Sequence, residues 1–155
     1  MLQREQLFQE LVHDSYKSGQ KLHEPARCPE CGACFHKGRW TWEPAPASAP
    51  AHICPACRRT SDDFPAGYVT LSGPFLQQHA DEIRGLIEHC EAAQKAEHPM
   101  QRIMAIKPSE AGMLITTTDV HLARNIAERL HHAYKGKLEF HYNKEQNLLR
   151  ALWSR

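Results

Sequence analysis

The pattern of hydrophobic and polar positions predicts two differently built parts of the chain, which meet near residue 60. At the N-terminus, Leu7, Phe8, Leu11 and Val12 recur at helical spacing, so they form one stripe of a short amphipathic helix. So short a helix is marginal alone and is expected to pack on another surface. Residues 14–27 are polar and contain glycine and proline, which predicts an extended connector.

Beyond residue 60, the spacing of apolar residues is typical of a packed domain of helices and strands. Residues 73–74, Gly-Pro, suit the N-cap and first turn of a helix, and residues 98–99, His-Pro, end it. A second helix begins at Thr118 or Asp119 and stops at Gly136. The predicted buried stripes are Leu76, Ala80, Ile83, Leu86, Ile87 and Cys90 in the first helix, and Leu122, Ala123, Ile126, Ala127, Leu130, Ala133 and Tyr134 in the second.

Four short runs predict two β-hairpins. IMAIK (103–107) and MLITT (113–117) are rich in β-branched residues and are separated by PSEAG, a five-residue loop. KLEFHY (137–142) alternates apolar and polar residues, and LLRALW (148–153) follows after a polar loop. The order after residue 73 is therefore α-β-β-α-β-β. A helix lying across a four-stranded antiparallel or mixed sheet is the simplest way to bury these stripes.

Two CxxC pairs, Cys28 with Cys31 and Cys54 with Cys57, supply the strongest chemical signal. Between them lie 22 residues, including the proline- and alanine-rich stretch 43–52, which predicts a flexible or extended loop. Two knuckles that each point two thiolates at one ion fit a tetrahedral Zn²⁺ site of the ribbon type. Such an ion folds a segment with too few apolar residues for its own core.

Other roles for the cysteines are less well supported by the sequence. A single CPxC can be a redox centre, but two pairs at this separation favour a metal. A catalytic zinc needs an open position, which four thiolates do not leave. Cys34 is a weaker ligand candidate, because knuckles use the CxxC pair. Cys90 falls on an apolar helix stripe, where a small buried residue is expected.

The predicted fold class is therefore α+β, with an N-terminal helix, a four-cysteine zinc ribbon and a compact α-β-β-α-β-β domain. The corresponding segments are 1–22, 23–62 and 63–155. With 155 residues, 41% hydrophobic and 24% charged, the chain has the composition of a folded protein. It has neither a signal-peptide pattern nor a long apolar run, so we expect a cytoplasmic protein without membrane association.

A formal net charge of +1 means that any nucleic-acid contact must come from a local patch. The first candidate patch surrounds FHKGRWTW, where strand alternation places Trp40 and Trp42 on one face. These tryptophans either dock the cysteine-rich segment on the α/β domain or stack on nucleic acid. The RNA-contact candidates of this segment are Lys37, Arg39, Trp40, Trp42, Arg58 and Arg59.

A second candidate patch is the polar face of the helix that follows residue 119. Free amides at a helix start attract phosphate, although Asp119 opposes an anion there. The candidates on this helix are His121, Arg124 and Lys135; the alternative is an ordinary solvated face. No catalytic order of Ser, His and Asp and no glycine-rich phosphate loop can be identified. We therefore expect a protein that is not an enzyme.

Residues 116–155 resemble a module of the adaptor proteins that accompany the large ribosomal subunit during nuclear export in archaea and eukaryotes. More closely, the chain from Cys28 to Trp153 is similar to a family of short bacterial zinc-ribbon proteins with the pattern CPxCGA, KGRWxW, CPACRR, PAGxVTL, EHPxxRI, TTDxHLARxI and YKGxLxFxY. The resemblance implies association with RNA or ribosomal particles. The export adaptors carry more CxxC pairs, so their specific role is not carried over.

These observations lead to one principal hypothesis and one alternative. The principal hypothesis is a non-enzymatic protein that binds rRNA or a ribosomal particle during assembly, quality control or stress, with structural Zn²⁺ on Cys28, Cys31, Cys54 and Cys57. The alternative is a zinc-stabilised adaptor that makes no RNA contact and docks on another protein, in part through its N-terminal helix. Binding that does not change with salt would favour the alternative.

Overall fold

The structure is a computed structural model that describes Tyr16 and residues 22–155. The predicted N-terminal helix with Leu7, Phe8, Leu11 and Val12 lies outside these residues. In chain order, the elements are β1 (Ala26–Arg27), β2 (Cys34–His36), β3 (Arg39–Thr41), α1 (Pro55–Asp62), β4 (Gly67–Ser72), α2 (Pro74–Gln78), α3 (Ala80–Glu97), β5 (Ile103–Pro108), β6 (Gly112–Thr117), α4 (Val120–Tyr134), β7 (Lys137–Asn143) and β8 (Leu148–Ser154).

The described residues form four helices and two sheets, which confirms a mixed α and β architecture. The small sheet has the order β1-β2-β3 and lies in the cysteine-rich segment. The large sheet has the order β5-β6-β4-β8-β7. Its pairs are antiparallel except β4 with β8, which run parallel at its centre.

The prediction of a four-stranded sheet is wrong, because β4 supplies a fifth and central strand. Val69 and Leu71 of this strand are fully buried, whereas Tyr68, Thr70 and Ser72 point to the other face. Parallel central strands are often apolar on both faces. Here helices cover only one face, so β4 alternates and carries only two large apolar residues.

The hydrophobic core lies between the large sheet and the helices α2, α3 and α4. Val69, Leu71, Ile115, Leu149 and Trp153 project from the sheet into it. Ile83, Ile87 and Cys90 of α3 are buried as predicted, and so are Leu122, Ile126 and Leu130 of α4. Ala133, which was predicted to be buried, is exposed because it lies near the helix end. Among the described helices, none has an apolar stretch long enough to cross a lipid bilayer.

The helix ends follow the predicted capping pattern with one difference. The carboxylate of Asp119 accepts a hydrogen bond from the Leu122 amide at 3.1 Å, so this residue is the N-cap of α4. The predicted helix from residue 74 is divided at His79, whose φ of −125° leaves the helical region. His98 ends α3 as expected.

Both predicted hairpins are present. In the first, β5 and β6 are joined by residues 109–111, and Ser109 and Gly112 exchange backbone hydrogen bonds at 3.1 Å. This loop is shorter than predicted, because Pro108 and Gly112 belong to the strands. In the second, β7 and β8 are paired from Lys137 opposite Ser154 to Asn143 opposite Leu148.

Replacing Gly67 by Ala is expected to lower the free energy of unfolding by about 1–3 kcal/mol, the usual range for an overpacked core. A Cβ on Gly67 would lie 2.4 Å from the Ala123 Cβ and 2.5 Å from the Thr117 Oγ1. The control is Gly85→Ala on α3, where a Cβ meets nothing within 4 Å. Urea denaturation should show this control to be as stable as the wild type or more so, because alanine favours helix. Equal stability of both variants would contradict close packing of β4 against α4.

Candidate metal centre

The first cysteine pair lies in a tight turn between β1 and β2. The Cys28 amide donates to the Ala33 carbonyl at 2.8 Å, and the Gly32 amide donates to the Cys28 carbonyl at 2.9 Å. Gly32 has a φ of +82°, a left-handed conformation that glycine adopts without a steric penalty. The turn therefore holds Cys28 and Cys31 on one side of the backbone.

The second pair opens a helix. Cys54 is the N-cap of α1, and its Sγ accepts a hydrogen bond from the Cys57 amide at 3.3 Å. The positive end of a helix dipole stabilises thiolates at this place. The structure thus differs from the ribbon prediction, because the second knuckle continues into α1.

The two pairs converge although 22 residues separate them in the sequence. The four Sγ atoms of Cys28, Cys31, Cys54 and Cys57 lie within 4.8 Å of one another, and those of Cys31 and Cys54 are 3.8 Å apart. A tetrahedron with metal–sulfur distances of about 2.3 Å has edges of about 3.8 Å. Because all six cysteines are free of disulfides, these four thiols can hold a metal ion.

Burial makes the cluster a closed site. Cys28, Cys54 and Cys57 are buried, and Cys31 is half-buried. Cys34 is also buried, but it lies in β2 opposite Thr41 and is not a member of the cluster. Together with Ala56, Trp40 and Met100, the cluster forms a small core of its own. So few apolar groups cannot stabilise the segment without an additional cross-link.

Burial and nearby donors shift the pKa values of the cysteine thiols in opposite directions. Burial alone raises the pKa of Cys28, but backbone amides of Cys54, Cys31 and Glu30 donate to its sulfur and lower the pKa to about 7. Burial raises the pKa of Cys54 and of Cys57, and the positive charge of Arg102 opposes both rises. Cationic charge therefore favours the thiolate forms of Cys54 and Cys57.

Arg102 supplies part of that charge and was not identified from the sequence. Its Nη1 donates to Cys57 Sγ at 3.2 Å, and its Nη2 lies 3.0 Å from Cys31 Sγ and 3.6 Å from Cys54 Sγ. Burial alone would lower the pKa of Arg102, but the hydrogen bonds to Cys31 and Cys57 raise it, so the side chain stays charged. Two features of the sequence point to Arg102. It is the arginine of the EHPxxRI pattern, and a dication with four thiolates has excess negative charge, which a nearby cation offsets.

Arg102 is itself held by the large domain. Its Nε donates to the Pro99 carbonyl at 2.8 Å, and its backbone amide donates to Thr118 Oγ1 at 2.9 Å. The guanidinium also lies 5.7 Å from the centre of the Trp42 ring. Arg102 therefore connects the cysteine cluster, through its side chain, with Pro99 before β5 and, through its backbone amide, with Thr118 after β6.

The two tryptophans contact protein. The Trp42 Nε1 donates to the Lys95 carbonyl of α3 at 2.7 Å. Trp40 packs against the cysteine cluster, with its ring near Phe35 and His52. These contacts agree with the interpretation that the tryptophans cover the cysteine-rich segment and dock it on the α/β domain.

The arginines predicted as RNA contacts have different environments. Lys37, Arg39 and Arg58 are exposed. Arg59 is fully buried, donates to the Phe64 carbonyl at 2.9 Å and stacks 4.1 Å from the centre of the Tyr16 ring. Arg59 therefore does not lie on an exposed surface as predicted, because it belongs to the last turn of α1 and its side chain is buried.

The candidates on α4 are also divided. Lys135 is exposed and His121 is half-buried. Arg124 is buried, and its Nη2 forms an ion pair with Glu128 Oε1 at 3.1 Å. It is therefore not a residue of an exposed phosphate-binding face, because its charge is already matched by a carboxylate.

The comparisons with protein-family models, with curated proteins and with solved structures find no match to this chain.

Proposed function

We propose that the protein is a non-enzymatic RNA-binding protein of ribosomal particles, with one structural Zn²⁺ bound by Cys28, Cys31, Cys54 and Cys57. Tetrahedral sites of four thiolates are typical of zinc or of iron–sulfur centres. Zinc is favoured over an iron–sulfur cluster because sulfur atoms within 4.8 Å of one another suit a single ion. Four thiolates leave no position for a water molecule, so the ion stabilises the fold and does not take part in hydrolysis.

The observation that supports RNA binding is the face of the large sheet opposite the helices, which we call the open sheet face. One row across it is formed by Thr116, Tyr68, Arg150 and His141. The next row is formed by Lys107, Leu114, Thr70, Leu152 and Glu139. Arg150 and His141 are exposed, and Leu152 is 40% exposed.

The open sheet face combines stacking groups with positive charge. The Arg150 guanidinium lies 4.6 Å from the centre of the Tyr68 ring. Arginine planes and aromatic rings on a sheet stack on unpaired bases, while cations contact the phosphates. The two rows contain the cations Lys107 and Arg150 and one acidic residue, Glu139, so their charge is positive in balance. Exposed cations elsewhere, namely Lys37, Arg39, Arg58 and Lys135, add attraction for the backbone.

Replacing Lys107 and Arg150 together by Gln is expected to weaken binding to single-stranded RNA about tenfold. The slope of log affinity against log salt should fall by about 1 for each phosphate contact that is lost. Fluorescence anisotropy of a labelled oligonucleotide at several salt concentrations measures both. The control combines Arg84→Gln and Arg129→Gln, two exposed helix residues, and should retain wild-type affinity. Unchanged affinity of the first variant would exclude the open sheet face as the RNA site.

Sedimentation of the tagged protein with ribosomal particles tests the cellular partner. Co-migration that is lost as salt rises would support electrostatic contact with rRNA. Co-migration that resists salt would favour the adaptor alternative, in which apolar side chains such as Leu152 and Phe64, both exposed, dock on a protein. Absence from the particles at every salt concentration would exclude the ribosomal proposal.

A further inference from the structure

A polar cleft of about 530 Å³ lies between the C-terminal half of α3 and α4. This volume falls within the range of about 300–1,000 Å³ that is typical of small-ligand sites. The cleft is separate from the cysteine cluster and from the two rows of the open sheet face. Its lining residues are Gln94, His98, Gln101, His121, Arg124, Asn125 and Glu128.

One buried hydrogen-bond acceptor in this cleft calls for a donor, and a carboxylate of the lining can accept from a second donor. The Oε1 of Gln101 is buried and has no hydrogen-bond partner in the described part of the chain. Such an acceptor is costly unless a ligand or water satisfies it. The carboxylate of Glu128 is held in place, because Nε and Nη2 of Arg124 both lie 3.1 Å from its Oε1. The cleft therefore suits a ligand with two N–H donors.

The lining disfavours other ligand classes. Arg124 and Glu128 carry opposite charges and are paired, so the cleft has little net charge to attract an isolated anion. The described histidines and acids do not converge as metal ligands here, since the cysteine cluster is the group of ligand atoms that the described residues bring together. A purely apolar ligand would leave the amide side chains unsatisfied.

We propose that this cleft binds one unpaired guanine base. Guanine is the common base with two adjacent N–H donors, at N1 and N2, on its Watson–Crick edge, which match the acceptors of Gln101 and Glu128. The amide groups of Asn125 and Gln94 supply donors for its acceptors O6 and N7. Recognition of a splayed base in this way is usual for single-stranded RNA. That the base belongs to an RNA rests on the proposed function. A free guanine nucleotide offers the same hydrogen-bond donors and acceptors.

The test compares an oligouridine of about eight nucleotides with the same oligomer carrying one central guanosine, a length within the usual site size. Anisotropy should show the guanosine oligomer to bind about tenfold more tightly, the effect of about one well-made hydrogen bond to a charged or buried group. Gln101→Met should remove this preference and leave oligouridine affinity unchanged. The control Gln78→Met lies on the exposed side of α2 and should retain the preference. Circular dichroism verifies that each variant is folded.

A titration with guanosine monophosphate distinguishes the two sources. Binding of the nucleotide that Gln101→Met abolishes, without any affinity for RNA, would support the cleft and overturn the proposed RNA function. RNA binding that depends on Arg150 but shows no preference for guanosine, together with no binding of the nucleotide, would overturn the cleft proposal and leave the proposed function intact. Guanosine-dependent binding of RNA would support both.

Discussion

Replacing Cys54 by Ser is expected to abolish tight metal binding and to unfold the cysteine-rich segment. Cys54 is fully buried, caps α1 and lies 3.8 Å from Cys31 through their sulfur atoms, so its loss opens the cluster and the helix start together. A structural Zn²⁺ contributes about 10–16 kcal/mol of apparent binding free energy at neutral pH. The small core around it cannot replace that contribution.

Elemental analysis should find one ion per chain in the wild type and less than stoichiometric metal in Cys54→Ser. The amide chemical shifts of residues 22–62 should move to values typical of an unfolded chain. Those of the large sheet should stay unchanged, because the sheet has its own core. The matched control is Cys34→Ser, which changes an equally buried cysteine outside the cluster. If Cys34→Ser lost the ion and Cys54→Ser kept it, the assignment of ligands would be wrong.

Replacing Arg102 by Met is expected to speed the transfer of the ion to a chelator by about 10–100-fold, the usual effect of removing a group that contacts metal ligands. Methionine keeps much of the side-chain volume but removes the contacts to Cys31, Cys54 and Cys57. The excess negative charge of the thiolates is then unmatched in a buried place. A chromogenic chelator measures the transfer rate.

Two variants help to interpret the Arg102 result. Arg102→Lys keeps the charge without the planar fork and should give an intermediate rate. Arg84→Met, on the exposed surface of α3, should give the wild-type rate. Because the Arg102 guanidinium also lies 5.7 Å from the centre of the Trp42 ring, directly before residues 43–52, Arg102→Met should expose that loop to faster proteolysis. Wild-type rates of both transfer and cleavage would show that Arg102 is not needed at the centre.

The metal ligands could be predicted from the sequence because ligand type and CxxC spacing are local properties. The amphipathic helix α4 was also predictable, since its apolar spacing and the Asp119 cap are read within one segment. The Arg102 contact could not be read in the same way. It joins residues that are 45 to 71 positions apart, and only the packing of β5 beside the cysteine cluster brings them together.

The same limit explains the wrong predictions. The helix of Arg59 was not predicted, whereas the polar face of the helix of Arg124 was recognised. In both cases the burial of the arginine depends on packing against other segments. Arg59 packs against Tyr16 from a distant segment, and Arg124 pairs with Glu128 one turn along its own helix, in the wall of the cleft. Strand β4 was missed because its two large apolar residues give a weak period, whereas its central place comes from pairing with β6 and β8.

The sequence by itself determined the helix stripes, the hairpins and the four candidate metal ligands, because these depend on the spacing of residue types along short stretches. The tertiary structure alone decided which arginines are buried, which side chain caps the thiolates, which sheet face helices leave uncovered, and where a polar cleft forms. These are properties of residues brought together from distant parts of the chain, and the sheet order that brings them together depends on the burial of all stripes at once.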